Sequence, residues 1–151
     1  MVFLAENANI HDLVYDNNSE GRLKLLGYCL AEKLTVVKEL ETAFFALSQM
    51  DLQKFDYKKG DTEGIVNYAL SIKNVRFSAF FVERDGIIKI SFRSKGKFDV
   101  NKFARSYFSG GGHANAAGGM SALSLAETIS KFLSILPAYK KQLTTKRNKI
   151  K

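Results

Sequence analysis

The spacing of apolar residues predicts helices in four parts of the chain. Apolar residues recur every three or four positions over about 20–33 and in the segments that follow Asp61, Asp99 and Ser124. These three residues are of types that cap helix N-termini, and Ser124 also begins a capping box. We expect Pro137 to interrupt or bend the last helix, because proline has no backbone N–H to donate.

Runs rich in β-formers alternate with these helices. Residues 34–49 predict a hairpin or two short strands. A clearer hairpin runs from Val75 to Arg84, turns at Asp85-Gly86 and returns over 87–94, since Asp-Gly supplies the positive φ angles of a tight turn. The first strand of this hairpin is apolar on both faces, which is typical of a central strand. We predict an α+β (α/β-like) single domain with a mixed sheet of about four or five strands and flanking helices.

The returning strand of the hairpin places polar groups on one face. Its apolar residues alternate with Lys89, Ser91 and Arg93. The sequence therefore predicts a row of one hydroxyl and two cations opposite the core.

Composition and charge narrow the class of protein. The chain has 151 residues, 46% of them hydrophobic, and has neither a long apolar run nor the pattern of a signal peptide, so we expect a cytoplasmic protein without a membrane partner. The net charge of +8 favours an anionic partner, although a basic tail over 140–151 contributes much of it. The lone Cys29 lies on an apolar helix face and is expected to be a buried, inert thiol.

A glycine-rich segment carries the candidate chemistry. Gly110, Gly111 and Gly112 are followed by His113. Consecutive glycines allow backbone N–H groups to converge on an oxyanion at positive φ, and a histidine adds a side-chain donor. The alternative is a plain loop with a surface histidine. That alternative leaves unexplained the small residues that follow, which are Ala114, Ala116 and Ala117.

This segment resembles a known family signature. Gly110-Gly111-Gly112-His113, with Ala116 and Gly118, matches the GGGHxxAxG pattern of the DHH-associated substrate-binding domain of DHH-family phosphoesterases. Two other segments resemble the nano-RNase and pAp-phosphatase branch of that family. They are Ser91-Phe92-Arg93-Ser94-Lys95 with Asp99-Val100-Asn101, and Asp61-Thr62-Glu63-Gly64 with Val66-Asn67.

The resemblance implies roles for particular residues. Arg93 and His113 match the positions that contact substrate phosphate, and the glycine backbone lines the same pocket. His113 is also the candidate for transition-state support, and no other catalytic residue is expected in this chain. The implied substrate-binding residues are Ser91, Arg93, Lys95, Gly110, Gly111, Gly112, His113 and Asn115.

The resemblance also implies a catalytic partner that this sequence does not contain. The chain has no DHH tripeptide, and its histidines are His11 and His113. We therefore expect two manganese ions (Mn2+) to be bound by an N-terminal DHH domain of the same protein. Residues 1–33 would connect to that domain, 34–139 would form the substrate-binding domain, and 140–151 would be the tail. A stand-alone binding module is the alternative.

The implied function is hydrolysis of short oligoribonucleotides or of 3′-phosphoadenosine 5′-phosphate by the whole enzyme, with this chain binding the substrate. One alternative is a DHH phosphoesterase for polyphosphate, pyrophosphate or cyclic dinucleotides. Others are a nucleic-acid-binding module, as in the related domain of alanyl-tRNA synthetases, and a dimerisation domain. The expected partners are short RNA or a nucleotide, the DHH domain and a second copy in a homodimer.

We predict that the purified chain hydrolyses nothing by itself, because its sequence offers no ligand set for two metal ions. Incubation with manganese and a short oligoribonucleotide should release no mononucleotide, as measured by chromatography. Turnover that survives further purification and disappears in His113→Ala would contradict the division into two halves.

Overall fold

The computed structural model describes residues 18–144, which build a six-stranded mixed sheet with strand order β1-β2-β3-β4-β6-β5. Only β2 and β3 are parallel among the described strand pairs, and the connection between them is long enough to hold two helices. The strands are β1 (Leu34–Val37), β2 (Thr42–Leu47), β3 (Phe77–Arg84), β4 (Ile87–Ser94), β5 (Gly111–His113) and β6 (Ala116–Ser121).

Helices lie on both faces of the sheet. None of those described over 18–144 is long and apolar enough to cross a membrane. They are α1 (Glu20–Tyr28), which continues as a π-helical turn (Cys29–Lys33), α2 (Gln49–Lys54), α3 (Ile65–Leu70), α4 (Val100–Tyr107), α5 (Leu125–Ile135) and α6 (Lys140–Leu143), with 3-10 turns at Lys38–Leu40 and Leu136–Tyr139.

The two faces of the sheet are covered to different extents. On one face, α4 and α5 bury an aromatic cluster that includes Phe92 of β4 and Ala117 of β6. On the other face, α1, α2 and α3 bury a second cluster that takes Phe80 and Val82 from β3. Within residues 18–144, this second cluster includes no residue of β4, β5 or β6. The side chains on this face of β4, β5 and β6 therefore lie outside the second cluster, although α3 approaches β4.

Most of the predicted elements are confirmed. The central hairpin turns at Asp85 and Gly86, both at positive φ, and β4 alternates buried and more exposed residues as predicted. The Asp99 side chain accepts from the Lys102 backbone N–H, and the Ser124 capping box is present. Pro137 lies in the 3-10 turn that ends α5.

Two predictions about the segment between β2 and β3 need correction. Asp61 does not cap α3, because its carboxylate accepts from the Lys58 backbone N–H, and Gly64 at φ 80° occupies the cap position instead. Helix α2 was not predicted. Its signal in the sequence is the pair Ser48 and Asp51, which form a capping box.

The glycine-rich segment was predicted as a loop but forms the edge of the sheet, which explains why there are six strands rather than four or five. Gly111 pairs with Gly118, and His113 pairs with Ala116. Gly111 is not among the described glycines with positive φ, so the reason for glycine here is close packing. A Cβ at Gly110 would overlap the Gly118 carbonyl oxygen.

Cys29 is buried, as predicted. Burial, together with the nearby Asp51 carboxylate, raises the pKa of the Cys29 thiol to about 12. The reactive thiolate is therefore strongly disfavoured at neutral pH.

Two neighbouring glycines provide a matched test of this packing. A Cβ at Gly119 would lie 2.9 Å from the Phe108 Cβ and carbonyl oxygen, whereas a Cβ at Gly118 would lie 3.6 Å from the Ile90 carbonyl oxygen. Gly119→Ala should lower the free energy of unfolding by about 1–3 kcal/mol because of overpacking. Gly118→Ala should change it by less than about 0.5 kcal/mol. Urea denaturation of both variants measures the difference, and equal values would contradict the close approach.

Candidate functional site

The strand register places Arg93 and His113 in one row across the sheet. Arg93 of β4 is opposite Ala116 of β6, and Ala116 is opposite His113 of β5. Adjacent strands lie about 4.8 Å apart, so the two backbones are separated by roughly 10 Å. The residue between them has only a methyl side chain, which leaves the space above β6 open. Two long polar side chains can therefore reach one group lying over β6.

The neighbouring row carries even less side-chain bulk. Ser91 is opposite Gly118, and Gly118 is opposite Gly111. This row lies next to the row of Arg93, so the β6 backbone at Gly118 has no side chain above it, whereas Gly111 is flanked by the Asn101 and Arg105 side chains of α4. Gly118 is in fact exposed. The arrangement gives a flat surface of main chain bordered by polar side chains.

A cavity of about 420 Å³ adjoins this surface, where the start of α3 meets β3 and β4. One wall is the segment 62–64, which we call the rim loop, and the floor is formed by β3 and β4. The cavity is lined by Thr62, Glu63, Gly64, Val66, Phe80, Val82, Arg84, Lys89, Ser91 and Arg93.

The polar row predicted on β4 lines this cavity. Ser91 and Arg93 are half-buried, and Lys89 is exposed. The Arg93 guanidinium donates through Nη1 to the Phe92 carbonyl oxygen at 2.9 Å, which limits the directions it can take. No hydrogen bond of its Nε or Nη2 to another described residue is present, so these N–H groups remain for a ligand.

Two hydrogen bonds from different elements fix the rim loop, and a third closes the turn before it. Arg84 Nη2 donates to Thr62 Oγ1 at 2.9 Å, and Arg22 Nη2 donates to the Glu63 carbonyl oxygen at 3.1 Å. The Lys58 N–H bonded to Asp61 closes the turn before the loop. The loop is thus held against β3 with its side chains beside the cavity. Sequence reasoning matched this segment to a family motif but assigned it no role.

The glycine strand β5 is anchored by Asn101 of α4. The Asn101 Oδ1 accepts from the Gly112 backbone N–H at 2.9 Å and from Arg105 Nε at 3.0 Å. The Gly110 N–H donates to the Ala104 carbonyl oxygen at 3.3 Å. These bonds set the position of His113 at the end of β5. Asn101 was also part of a matched motif without an assigned role.

Two of the predicted site residues lie elsewhere. Lys95 follows the end of β4, is exposed, and does not line the cavity. Asn115 donates through Nδ2 to Ser94 Oγ at 3.0 Å and to the Gly96 carbonyl oxygen at 3.1 Å, so its amide N–H groups hold the chain together.

Of the three predicted glycines, Gly110 and Gly112 lie where backbones pack closely, and Gly111 lies against the Asn101 and Arg105 side chains. His113 is exposed and lies in the row of Arg93 outside the cavity itself. Within the described residues, no group of three or more His, Cys, Asp or Glu side chains could hold a metal ion. His11 and the end of the basic tail lie outside the described residues.

Comparisons with known proteins give consistent similarities. The profile of the DHHA1 domain matches residues 40–142. The chain is 40% identical over 67 residues to the bifunctional oligoribonuclease and PAP phosphatase NrnA of Bacillus subtilis, which covers 44% of this chain and 21% of that protein.

Two solved structures have a fold similar to that of this chain. An exopolyphosphatase-related protein from Bacteroides fragilis superposes with a TM-score of 0.87 and 45% identity, over 91% of this chain and 40% of that one. The pGpG-specific phosphodiesterase PggH from Vibrio cholerae superposes with a TM-score of 0.54 and 17% identity, over 78% of this chain and 39% of that one, which is a likeness of fold. The chain thus spans well under half the length of these relatives.

The anchoring role of Asn101 can be tested with two variants. Asn101→Ala removes the acceptor for two N–H groups and should lower the free energy of unfolding by about 0.5–1.5 kcal/mol. Asn101→Asp keeps an acceptor oxygen at the same position and should retain most of that stability. Thermal and urea denaturation measure both variants. A fully stable Asn101→Ala protein would show that β5 does not depend on this bond.

Proposed function

Because this chain belongs to the DHHA1 domain family, we propose that its open sheet face binds the phosphate of a short oligoribonucleotide or of 3′-phosphoadenosine 5′-phosphate for a DHH-family phosphoesterase. The observation that carries the proposal is the register of Arg93, Ala116 and His113 beside a cavity lined by Lys89 and Ser91.

The charges of the site favour a phosphate over a neutral ligand. Lys89, Arg93 and the Arg84 guanidinium border one cavity, and cations hydrogen-bonded to phosphate oxygens make stronger bonds than neutral donors do. Arg84 donates through Nη2 to Thr62 and its Nε is buried without a partner, whereas the Nε and Nη2 of the half-buried Arg93 make no hydrogen bond to a described residue. His113 would add a donor from the opposite side of β6.

The nucleotide part of the proposal is supported by the relative that the chain matches over 67 residues, whose name describes an oligoribonuclease and PAP phosphatase. A second candidate ligand is a chain of phosphates, because another relative is described as exopolyphosphatase-related. A ligand of that kind would use the same cations and make no contact with a sugar or base.

The contribution of this chain to the reaction would be to position the substrate and neutralise its charge. The described residues offer no metal site, so the metal ions of the mechanism, proposed to be two manganese ions, would belong to the DHH domain. That domain would supply the activated water. The chain's own residues would hold the phosphate against β6 while the bond is cut.

The proposal predicts that Arg93 and His113 affect binding rather than stability. Arg93→Ala removes a charged hydrogen bond worth about 1.5–3 kcal/mol, so the Kd for adenosine 5′-monophosphate and for inorganic phosphate should rise about 10- to 100-fold. His113→Ala should also weaken binding, and His113→Asn should recover part of the loss if a neutral donor suffices. NMR titration of the chain gives Kd, and thermal melting should give a nearly unchanged Tm for all three variants.

The matched control is Lys102→Ala, which removes an exposed cation from α4 on the opposite face of the sheet. It should leave both Kd values almost unchanged. Unaltered binding in Arg93→Ala and His113→Ala would overturn the proposal, as would a destabilised His113→Ala protein that binds normally.

A further inference from the structure

One carboxylate lies among the cations of the cavity. Glu63 lines the same cavity as Lys89 and Arg93, and it is exposed. Its carboxylate makes no ion pair or hydrogen bond with any described residue, although cations line the same cavity. Glu63 is therefore free to interact with whatever enters.

The position of Glu63 is fixed by its backbone rather than by its side chain. Arg22 binds its carbonyl oxygen, and Arg84 holds the preceding Thr62. The following Gly64 adopts φ 80°, which a residue with a Cβ rarely adopts. The backbone that carries this side chain therefore has little freedom to move away from the cavity.

A carboxylate here conflicts with binding of phosphate alone. An ionised carboxylate only accepts hydrogen bonds, and it repels a phosphate bound within a few ångström. Its presence is favourable when the ligand also carries neutral donors next to the phosphate. Ribose hydroxyls and the amino groups of a base are such donors, and a chain of phosphates has none.

We propose that Glu63 is a specificity-determining residue that accepts a hydrogen bond from the nucleoside of the bound nucleotide, either from a ribose hydroxyl or from an amino group of the base. The proposal rests on the proposed function, since it assumes that phosphate binds at Arg93. Sites built to hydrogen-bond a substrate group strongly reject analogues that lack it. Glu63 would therefore favour nucleotides over inorganic polyphosphates of similar charge.

The two explanations of Glu63 predict changes of opposite sign. If its carboxylate accepts a bond from the nucleoside, Glu63→Ala should weaken adenosine 5′-monophosphate binding by about tenfold, the factor that corresponds to about 1.4 kcal/mol. Inorganic phosphate, which has no nucleoside, should bind equally well or more tightly. If Glu63 is merely a nearby negative charge, Glu63→Ala should tighten the binding of both ligands.

The experiment is an NMR titration of the 151-residue chain with four probes. They are inorganic phosphate, adenosine 5′-monophosphate, its 2′,3′-dideoxy analogue and the 5′-phosphate of purine riboside, which lacks the amino group. The analogue that lacks the recognised donor should bind the unaltered chain about tenfold more weakly, and Glu63→Ala should not weaken its binding further. Glu39→Gln, which removes a charge from the exposed turn before β2, is the control.

The outcomes separate this inference from the proposed function. Weaker nucleotide binding with unchanged or tighter phosphate binding in Glu63→Ala supports it. Tighter or unchanged nucleotide binding in Glu63→Ala overturns it. In that case, the Kd values of Arg93→Ala still test the proposed phosphate site. If phosphate and nucleotide both fail to bind the unaltered chain, the proposed function fails as well.

Discussion

The close approach of backbones at one edge of the sheet determines the geometry of the candidate site. Gly110 and Gly112 leave no room for a Cβ against β6, and Gly119 leaves none against Phe108. Strand β6 can therefore lie directly between β4 and β5, and His113 reaches the row of Arg93. Larger residues here would push the strands apart and separate the two groups proposed to bind one phosphate.

The two faces of the sheet serve different purposes. The aromatic cluster under α4 and α5 buries Phe77, Phe92, Phe103 and Phe132 and supplies much of the apolar burial that stabilises the fold. On the opposite face, β4 and β6 present Lys89, Ser91, Arg93, Ala116 and Gly118, together with the exposed apolar side chains of Ile87 and Met120. Because the groups proposed to bind a ligand make few contacts within the protein, we expect their substitution to have little effect on the core. Stability and the proposed binding would then be largely separate in this domain.

The candidate site consists of the row of Arg93 across the strands, the glycine strand β5 and the rim loop. Asn101 fixes the glycine strand from below, and Arg84 and Arg22 fix the rim loop from the side. Both segments carry groups that a ligand would meet, so their hydrogen bonds hold these groups in place before a ligand arrives. Preorganisation of this kind lowers the entropic cost of binding. The proposed roles of Arg93, His113 and Glu63 all depend on it.

The local elements and the chemistry of single segments could be predicted from the sequence. The alternation along β4 identified Lys89, Ser91 and Arg93 as one face, and Asp85-Gly86 identified the hairpin, because both depend on neighbouring residues only. What those segments contact depends on the tertiary structure. The glycines form an edge strand because β6 and Phe108 lie close to them, and Asn115 is occupied by Ser94 and Gly96 rather than available to a ligand. Contacts between residues far apart in the chain place His113 in the row of Arg93 and Glu63 beside the cavity. A local sequence pattern does not specify such long-range contacts.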